Sequence, residues 1–326
     1  MVWCIKKRDA TEKKMKQPQS TVLITGGAGF IGTHLCRLLI QEGYSVRSLD
    51  LKDPRTAVAG VEYIRGDVRS PDDLRGAVHG VIAVYHFAAI VNVLECQEKP
   101  VESYETNFMG TVKVLEAVCA EGKRAGTMPR VIFAGSSAVY GLNGKQNTPI
   151  NESEVSTNPL SYYANQKKAS EEVIRLFHEH RGVPAVVFRF FNVYGIGQDP
   201  KSPYSGVITI FARLAREGKD LQLHGGGVQT RDFISVSDIA QANLAALRLD
   251  HSRCDGNAFN LGCGKSITIR QLGESILKVS KSSGSLLDVP AREGDVPHSM
   301  ANVSRARDIL NWSAKIQLEQ GLAEIL

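Results

Sequence analysis

From Thr21 onward the chain repeats one rhythm: a short apolar run without polar alternation, a turn, then apolar residues three and four apart. Thr21-Val-Leu-Ile-Thr25 is the first run, and Phe30, Ile31, Leu35, Leu38 and Leu39 follow at helical spacing up to Gly43. Val46 to Leu49 reads as a second strand. Further strands are predicted at Val61 to Ile64, Val81 to Phe87, Val131 to Ala134 and Ala185 to Phe190, with helices over about 72–79, 100–121 and 161–181. Strands that alternate with helices need crossover connections, and strands apolar on both faces must be covered on both faces. The expectation is an α/β fold, a Rossmann-type doubly wound parallel sheet. Beyond about residue 194 the rhythm loosens, with loop-rich stretches at 195–205, 225–229 and 280–294. Residues 195–326 are read as mainly a smaller C-terminal lobe interleaved with the last strands. There is no repeat at a solenoid period.

Composition narrows the class. At 43% hydrophobic and 22% charged, 326 residues are neither disordered nor fibrous. Of the net charge of +5, +4 lies in residues 1–20, read as a flexible basic leader. The remainder is nearly neutral and lacks the basic surface that a phosphate backbone requires, so no nucleic-acid partner is expected. No apolar run is long enough for a membrane span. Six cysteines without a Cys-x-x-Cys pair point to a reduced, cytoplasmic setting, and the histidines show no metal-ligand spacing.

Between the first strand and helix stands Gly26-Gly-Ala-Gly29-Phe-Ile-Gly32, where small residues let backbone N–H groups approach a pyrophosphate. Asp50 closes the second strand 18 residues beyond Gly32, where a carboxylate can accept from an adenine ribose. Its charge favours NAD over NADP, with Lys52 and Arg47 as the opposing charges nearby.

Tyr163 and Lys167 are four apart at the start of a predicted helix, on one face. Ser136 lies at the end of a strand, where open α/β sheets place their ligands, with Ser137 as a competing candidate. An ammonium and a nicotinamide cation nearby favour the phenolate, which could take a proton from a sugar hydroxyl while hydride leaves the same carbon. Ser136 would hold the reacting oxygen and Lys167 the nicotinamide ribose.

The Gly-x-x-Gly-x-x-Gly turn, Gly66-Asp67-Val68, His86-Phe-Ala-Ala89, Asn107 in Asn-Phe-Met-Gly-Thr111 and Tyr163-x-x-x-Lys167 together resemble the extended short-chain dehydrogenase/reductases. Arg189-Phe-Phe-Asn-Val-Tyr-Gly195, Gln229 to Asp238 and Arg292-Glu-Gly-Asp295 narrow the resemblance to the NAD-dependent epimerase/dehydratase family, over nearly all of residues 20–323. The resemblance implies a NAD-binding domain over 21–194 that also carries the catalytic residues. It places Asp67 and Val68 at the adenine, and Phe30, Ile31, Phe87, Ala88, Asn107 and Phe191 along the rest of the cofactor groove. It assigns Asn192, Arg231 and Arg292 to a nucleotide diphosphate, which two arginines and an amide suit chemically. Asp295 joins that substrate set, and Val207 and His224 fall near a uracil. For the arginines the competing reading is an ion pair, Arg231 with Asp232 or Arg292 with Asp295.

Departures within the family bear on the reaction. A dehydratase carries an acidic pair after the catalytic hydroxyl and a decarboxylase a Glu in the same stretch, where this chain has Ser137 and Ala138. The sequence is most similar to the UDP-glucose 4-epimerases, which implies C4 oxidation, rotation of the 4-keto sugar and hydride return. Ser299 stands where some members have a tyrosine beside the sugar C2 substituent, so N-acetylhexosamines are expected as substrates too. Tyr140-Gly-Leu-Asn143 also resembles the glucuronate 4-epimerases, which, with reductase and decarboxylase relatives, are the alternative. A non-catalytic NAD-sensing module is the alternative of another class. Family members pair through helices matching 100–121 and 161–181, so a homodimer is expected.

Overall fold

The computed structural model describes residues 20–156, 158–199, 206–292 and 294–326. The basic leader, except for Ser20, and residues 200–205 of the predicted loop lie outside the described residues.

Seven strands form the central sheet: β1 (Thr21–Thr25), β2 (Ser45–Asp50), β3 (Val61–Arg65), β4 (Val81–His86), β5 (Arg130–Ser136), β6 (Ala185–Phe190) and β7 (Asp255–Leu261). Their order is β3-β2-β1-β4-β5-β6-β7, and every neighbouring pair is parallel. That is the doubly wound arrangement, extended by one strand. Successive side chains of a strand point to opposite faces. Val22 and Ile24 accordingly join the core on one face and Leu23 the core on the other. All three are fully buried, which explains a strand without polar alternation.

Helix α1 (Phe30–Gln41) and the helix Val236–Arg248 cover the first face. Helices α2 (Pro71–Ala77), α3 (Gly110–Ala125) and α4 (Tyr162–Arg181) cover the second. Local signals start them: Ser70 Oγ accepts from Asp73 N at 3.3 Å ahead of Pro71, and Ser161 Oγ accepts from Ala164 N at 3.1 Å ahead of Tyr162. Apolar excess on two of these helices is mostly internal packing, since Val114, Leu115, Val118 and Ile174 are fully buried.

Two stretches differ from the pattern-based reading. The single helix expected over 100–121 is Pro100–Tyr104, a π-helical turn at Glu105–Met109, and then α3. The wider turn directs the Asn107 amide inward, where Oδ1 accepts from Ile90 N at 2.7 Å and Nδ2 donates to Ile90 O at 2.9 Å. Within the loop-rich 280–294 stretch, Leu286–Val289 is a strand paired in parallel with Leu221–His224. Its short run was hidden by the glycine, serine and lysine around it.

Candidate active site

The parallel sheet brings the C-terminal ends of its strands to one edge. Gly26 follows β1 there with φ +72°, and a Cβ on it would lie 2.7 Å from Ala88 N. At Gly32 a Cβ would meet Gly26 O at 2.5 Å, so α1 packs on the turn only with glycine there. The first turn of α1 has no acidic residue and no side-chain cap, which leaves its N–H groups to an anion. Asp50 stands beside this turn: Oδ2 accepts from Ala28 N and Oδ1 from Lys52 N, both at 3.1 Å. Carboxylate lone pairs remain for ribose hydroxyls. Arg47 is committed elsewhere, to Glu62 at 3.0 Å and to the carbonyls of Ala77 and His79, so it offers nothing to a 2′-phosphate.

Farther along the groove, Asp67 is held by Arg69, whose Nε donates to Oδ2 at 2.8 Å, and Val68 packs in the core beside Gly110. Phe87 and Ala88 are half-buried after β4. Asn107, buried to 2% exposure, works one layer back: besides clamping Ile90 it donates to Gln166 Oε1 at 2.7 Å. Phe191 packs against Tyr140, and Phe30 against the backbone of Gly195 and Gly197. Ile31 is half-buried against the first core. His34 Nε2 lies 2.8 Å from Ile196 O and Arg55 pairs with Asp199, so the loop after residue 195 is tied to the far wall of the groove.

At the end of β5, the Ser136 side chain neighbours the Tyr163 hydroxyl. Ser136 Oγ also accepts from Ala138 N at 3.2 Å, fixing the turn Ser137–Tyr140. Between the two serines the structure places Ser136, rather than Ser137, on Tyr163. Lys167 Nζ donates to Ala134 O at 2.7 Å and lies 4.7 Å from the Phe133 ring centroid. Burial pushes Tyr163 up to about 12, Ser136 opposing and Cys96 adding to the rise. In the chain by itself burial therefore favours the phenol form. Burial lowers Lys167 to about 8, with Glu171 and Cys96 opposing.

A cavity of about 310 Å³ lies beyond the end of β6, lined by Asn192 and by residues from 207 to 295. Asn192, Val207, His224, Arg231, Arg292 and Asp295 all line it, so six residues assigned to substrate from the sequence share one space. Asn192 is held by Nδ2 donating to Asp232 O at 3.1 Å. Neither expected ion pair forms. Arg231 pairs with Asp295 at 2.5 Å, while Asp232 is fully buried and accepts from the backbone N–H of Cys263, Gly264 and Ala301 at 2.7, 3.0 and 3.1 Å. Ser299 is half-buried outside this lining, its N–H on Thr230 O at 3.2 Å. The sequence reading missed Ile210, Phe211 and Leu214, which complete with Val207 an apolar helical stripe along the cavity. It also missed the polar Gln222 and Gln229 and the apolar Ile269.

The sequence profile of the NAD dependent epimerase/dehydratase family matches residues 22–262. The chain is 31% identical to a UDP-glucose 4-epimerase of Bos taurus, over 92% of this chain and 93% of that one. It is also 31% identical to a UDP-N-acetyl-alpha-D-glucosaminuronate decarboxylase of Bacillus cytotoxicus, over 93% and 96%. Among solved structures, the UDP-glucose 4-epimerase of Thermotoga maritima with UDP-glucose superimposes with a TM-score of 0.86 at 30% identity, over 94% of this chain and 97% of that one.

The glycine turn, the uncapped N-terminus of α1 and the Asp50 carboxylate fit NAD, the cofactor of this family. Asp50→Ala is expected to weaken NAD binding by about 1.5–3 kcal/mol, the size of a hydrogen bond to a charged group, and to narrow its preference over NADP. Calorimetry with both dinucleotides checks this; unchanged affinity would remove Asp50 from the cofactor site.

Proposed function

The chain belongs to the NAD-dependent epimerase/dehydratase family, and within it we propose a nucleotide-sugar 4-epimerase that interconverts UDP-glucose and UDP-galactose and also takes their N-acetylhexosamine counterparts. The observation that carries this reading is the Ser136–Tyr163 contact followed by Ser137 and Ala138. One proton carrier stands at the reacting oxygen, and the next two positions hold no carboxylate for elimination or decarboxylation. The chemistry supplied by bound NAD is reversible hydride acceptance. Tyr163, as the phenolate that the charge of a bound nicotinamide would favour, takes the proton of the C4 hydroxyl and returns it, and Ser136 hydrogen-bonds the same oxygen. Asn192, Arg231 and Arg292 would hold the diphosphate and leave the sugar ring free to turn, so that either face of C4 can be presented beside Tyr163. The small Ser299 leaves room for an N-acetyl group at C2.

The test is to incubate the purified protein separately with UDP-galactose, UDP-N-acetylgalactosamine and UDP-galacturonate, without added cofactor, and resolve the products by NMR. The first two are expected to yield their 4-epimers at unchanged total sugar. Conversion of UDP-galacturonate alone would instead assign a glucuronate 4-epimerase. No conversion even with added NAD would favour a NAD-binding module. Tyr163→Phe is expected to retain bound NAD and lose roughly 10²–10⁴-fold in turnover.

The pH profile carries a second expectation. Lys167 works as a cation, the form present below its pKa, so turnover should fall as pH rises through about 8. An alkaline limb that stays flat to pH 10 would contradict this role.

The protein is further proposed to act as a cytoplasmic homodimer. Among the described residues five cysteines are free, and Val101, Met109 and Leu176 are exposed on the helical segments around 100–125 and 162–181, Val101 at 72%. Light scattering should return twice the mass of one chain; a single-chain mass at micromolar concentration would refute the pairing.

A further inference from the structure

The helix that carries Tyr163 and Lys167 carries a third ionisable group one turn on. Glu171 follows Lys167 by four residues, the spacing that puts both on one helix face. Its carboxylate is clamped by Arg189 of β6, whose Nε donates to both oxygens at 3.1 Å and whose Nη2 donates to Oε2 at 2.6 Å. The two side chains are only 10% and 7% exposed, so the pair is largely out of water. Nη1 of Arg189 is spent on the Tyr140 hydroxyl at 2.9 Å and Glu152 O at 2.6 Å, which fixes the guanidinium in place. Above the pair runs β5. A Cβ on Gly135 would come within 3.0 Å of Glu171 Oε1, and the carbonyl of the preceding Ala134 accepts from Lys167 Nζ. Carboxylate and ammonium thus stand against consecutive residues of the strand that ends in Ser136.

A buried ion pair is a costly way to hold a core together, because apolar side chains of similar volume avoid the desolvation. The groups facing Lys167 show what this one does. From its own helix come Tyr163 and Glu171, from β5 the Phe133 ring, from β4 His86, and from the helix Val93–Glu98 the thiol of Cys96. His86 is kept neutral by burial, which lowers it to about 3. Tyr163 is protonated in the same setting, and burial works against the Lys167 cation. Burial likewise raises Glu171, opposed by the Arg189 hydrogen bonds and charge and by Lys167; the clasp of both its oxygens by Arg189 is the geometry of a carboxylate, and Tyr140 and Glu172 are further titratable groups nearby. Among these neighbours the Glu171 carboxylate favours the Lys167 cation.

We propose that Glu171 is a positioning residue for the Tyr163–Lys167 pair: anchored by Arg189, its carboxylate is the buried charge that keeps Lys167 a cation beneath the reacting oxygen. This rests on the reading that Tyr163 and Lys167 carry proton chemistry. The test follows the ε-carbon resonance of Lys167 with pH in the ¹³C-lysine-labelled holoenzyme, assigned by its loss in Lys167→Met. In Glu171→Gln the midpoint should fall by about one pH unit, since a nearby opposite charge shifts a group by that order. Glu172→Gln, which removes an exposed charge from the same helix, should leave it in place. A midpoint unmoved in folded Glu171→Gln overturns the proposal. Should that variant fail to fold, the double variant Glu171→Met with Arg189→Met leaves no unpaired charge; there a lower midpoint supports the role and an unchanged one overturns it. The titration needs no sugar. A shifted midpoint without 4-epimer formation would remove the epimerase reading and leave Glu171 its role; epimer formation with an unmoved midpoint would do the reverse.

Discussion

Parallel pairing is the constraint on which the rest of this structure depends. Because all seven strands run the same way, their C-terminal ends meet along one edge, and Gly26, Asp50, Phe87, Ser136 and Phe191 follow or close five of them. None of these residues needs to be near another in sequence to share a groove. The order reverses between β1 and β4, where the crossover connections diverge and leave a crevice. The apolar strands that look like mere core are thus what places the polar chemistry: Val22, Leu23 and Ile24, buried on alternate faces, hold β1 in the register that ends it at the glycine turn.

Around that edge the protein buries polar groups and gives several of them fixed partners, although Ser48 Oγ, Asn92 Nδ2 and Tyr194 OH are buried without one among the described residues. Leaving such a group unpaired costs about 1–3 kcal/mol, more for a charge, so the partners matter. Asn107 is bonded to both backbone groups of Ile90 and to Gln166, whose Nε2 donates in turn to Ser103 Oγ at 2.7 Å, which locks the loop after β4 to the helix of Tyr163. Asp232 gathers three backbone N–H groups from two separate segments, while its own carbonyl accepts from Asn192. These carboxylate and amide ties join the sheet to the C-terminal lobe where the cavity lies, and they explain why polar residues persist in a core otherwise built of valine, leucine and isoleucine.

Much of this was legible in the sequence, and the exceptions have physical reasons. Strands buried on both faces announce themselves by unbroken apolar runs, which marks β1, β4, β5 and β6, whereas β2 and β3, interrupted by Arg47, Ser48 and Glu62, are legible from their place in the strand and helix rhythm. β7 could not be read, because Asn257 and Asn260 interrupt it; Asn260 is buried to take the Tyr140 hydroxyl at 2.5 Å and to donate to Ile150 O at 2.9 Å. The π-helical turn was hidden because its residues continue a helical pattern, and only the inward bonds of Asn107 reveal why the turn widens. Arg231 and Asp232 looked like partners because they are adjacent, but along an extended segment neighbours point to opposite sides, and Arg231 finds Asp295 instead. The buried charge of Glu171 was unreadable for the opposite reason: its partner Arg189 is eighteen residues away, on a strand.

Two groups of residues divide the work in a way that suits the proposed reaction. In one, Arg231 and Arg292 face the cavity beside the fixed amide of Asn192, and hydrogen bonds to charged groups contribute about 1.5–3 kcal/mol each. In the other, Ser136 and Tyr163 offer two hydroxyls and no carboxylate. On the proposed reading, affinity concentrated on the diphosphate would hold the substrate through the whole cycle, while the sugar would be bound by weaker neutral contacts that can be broken and remade. A ring held that way can present either face to one proton carrier without leaving the protein. A carboxylate at Ser137 or Ala138 would add a second acid-base group at the neighbouring carbons and open the competing elimination. Small neutral side chains there would restrict the proposed chemistry to the one carbon whose oxygen Tyr163 and Ser136 are proposed to hold.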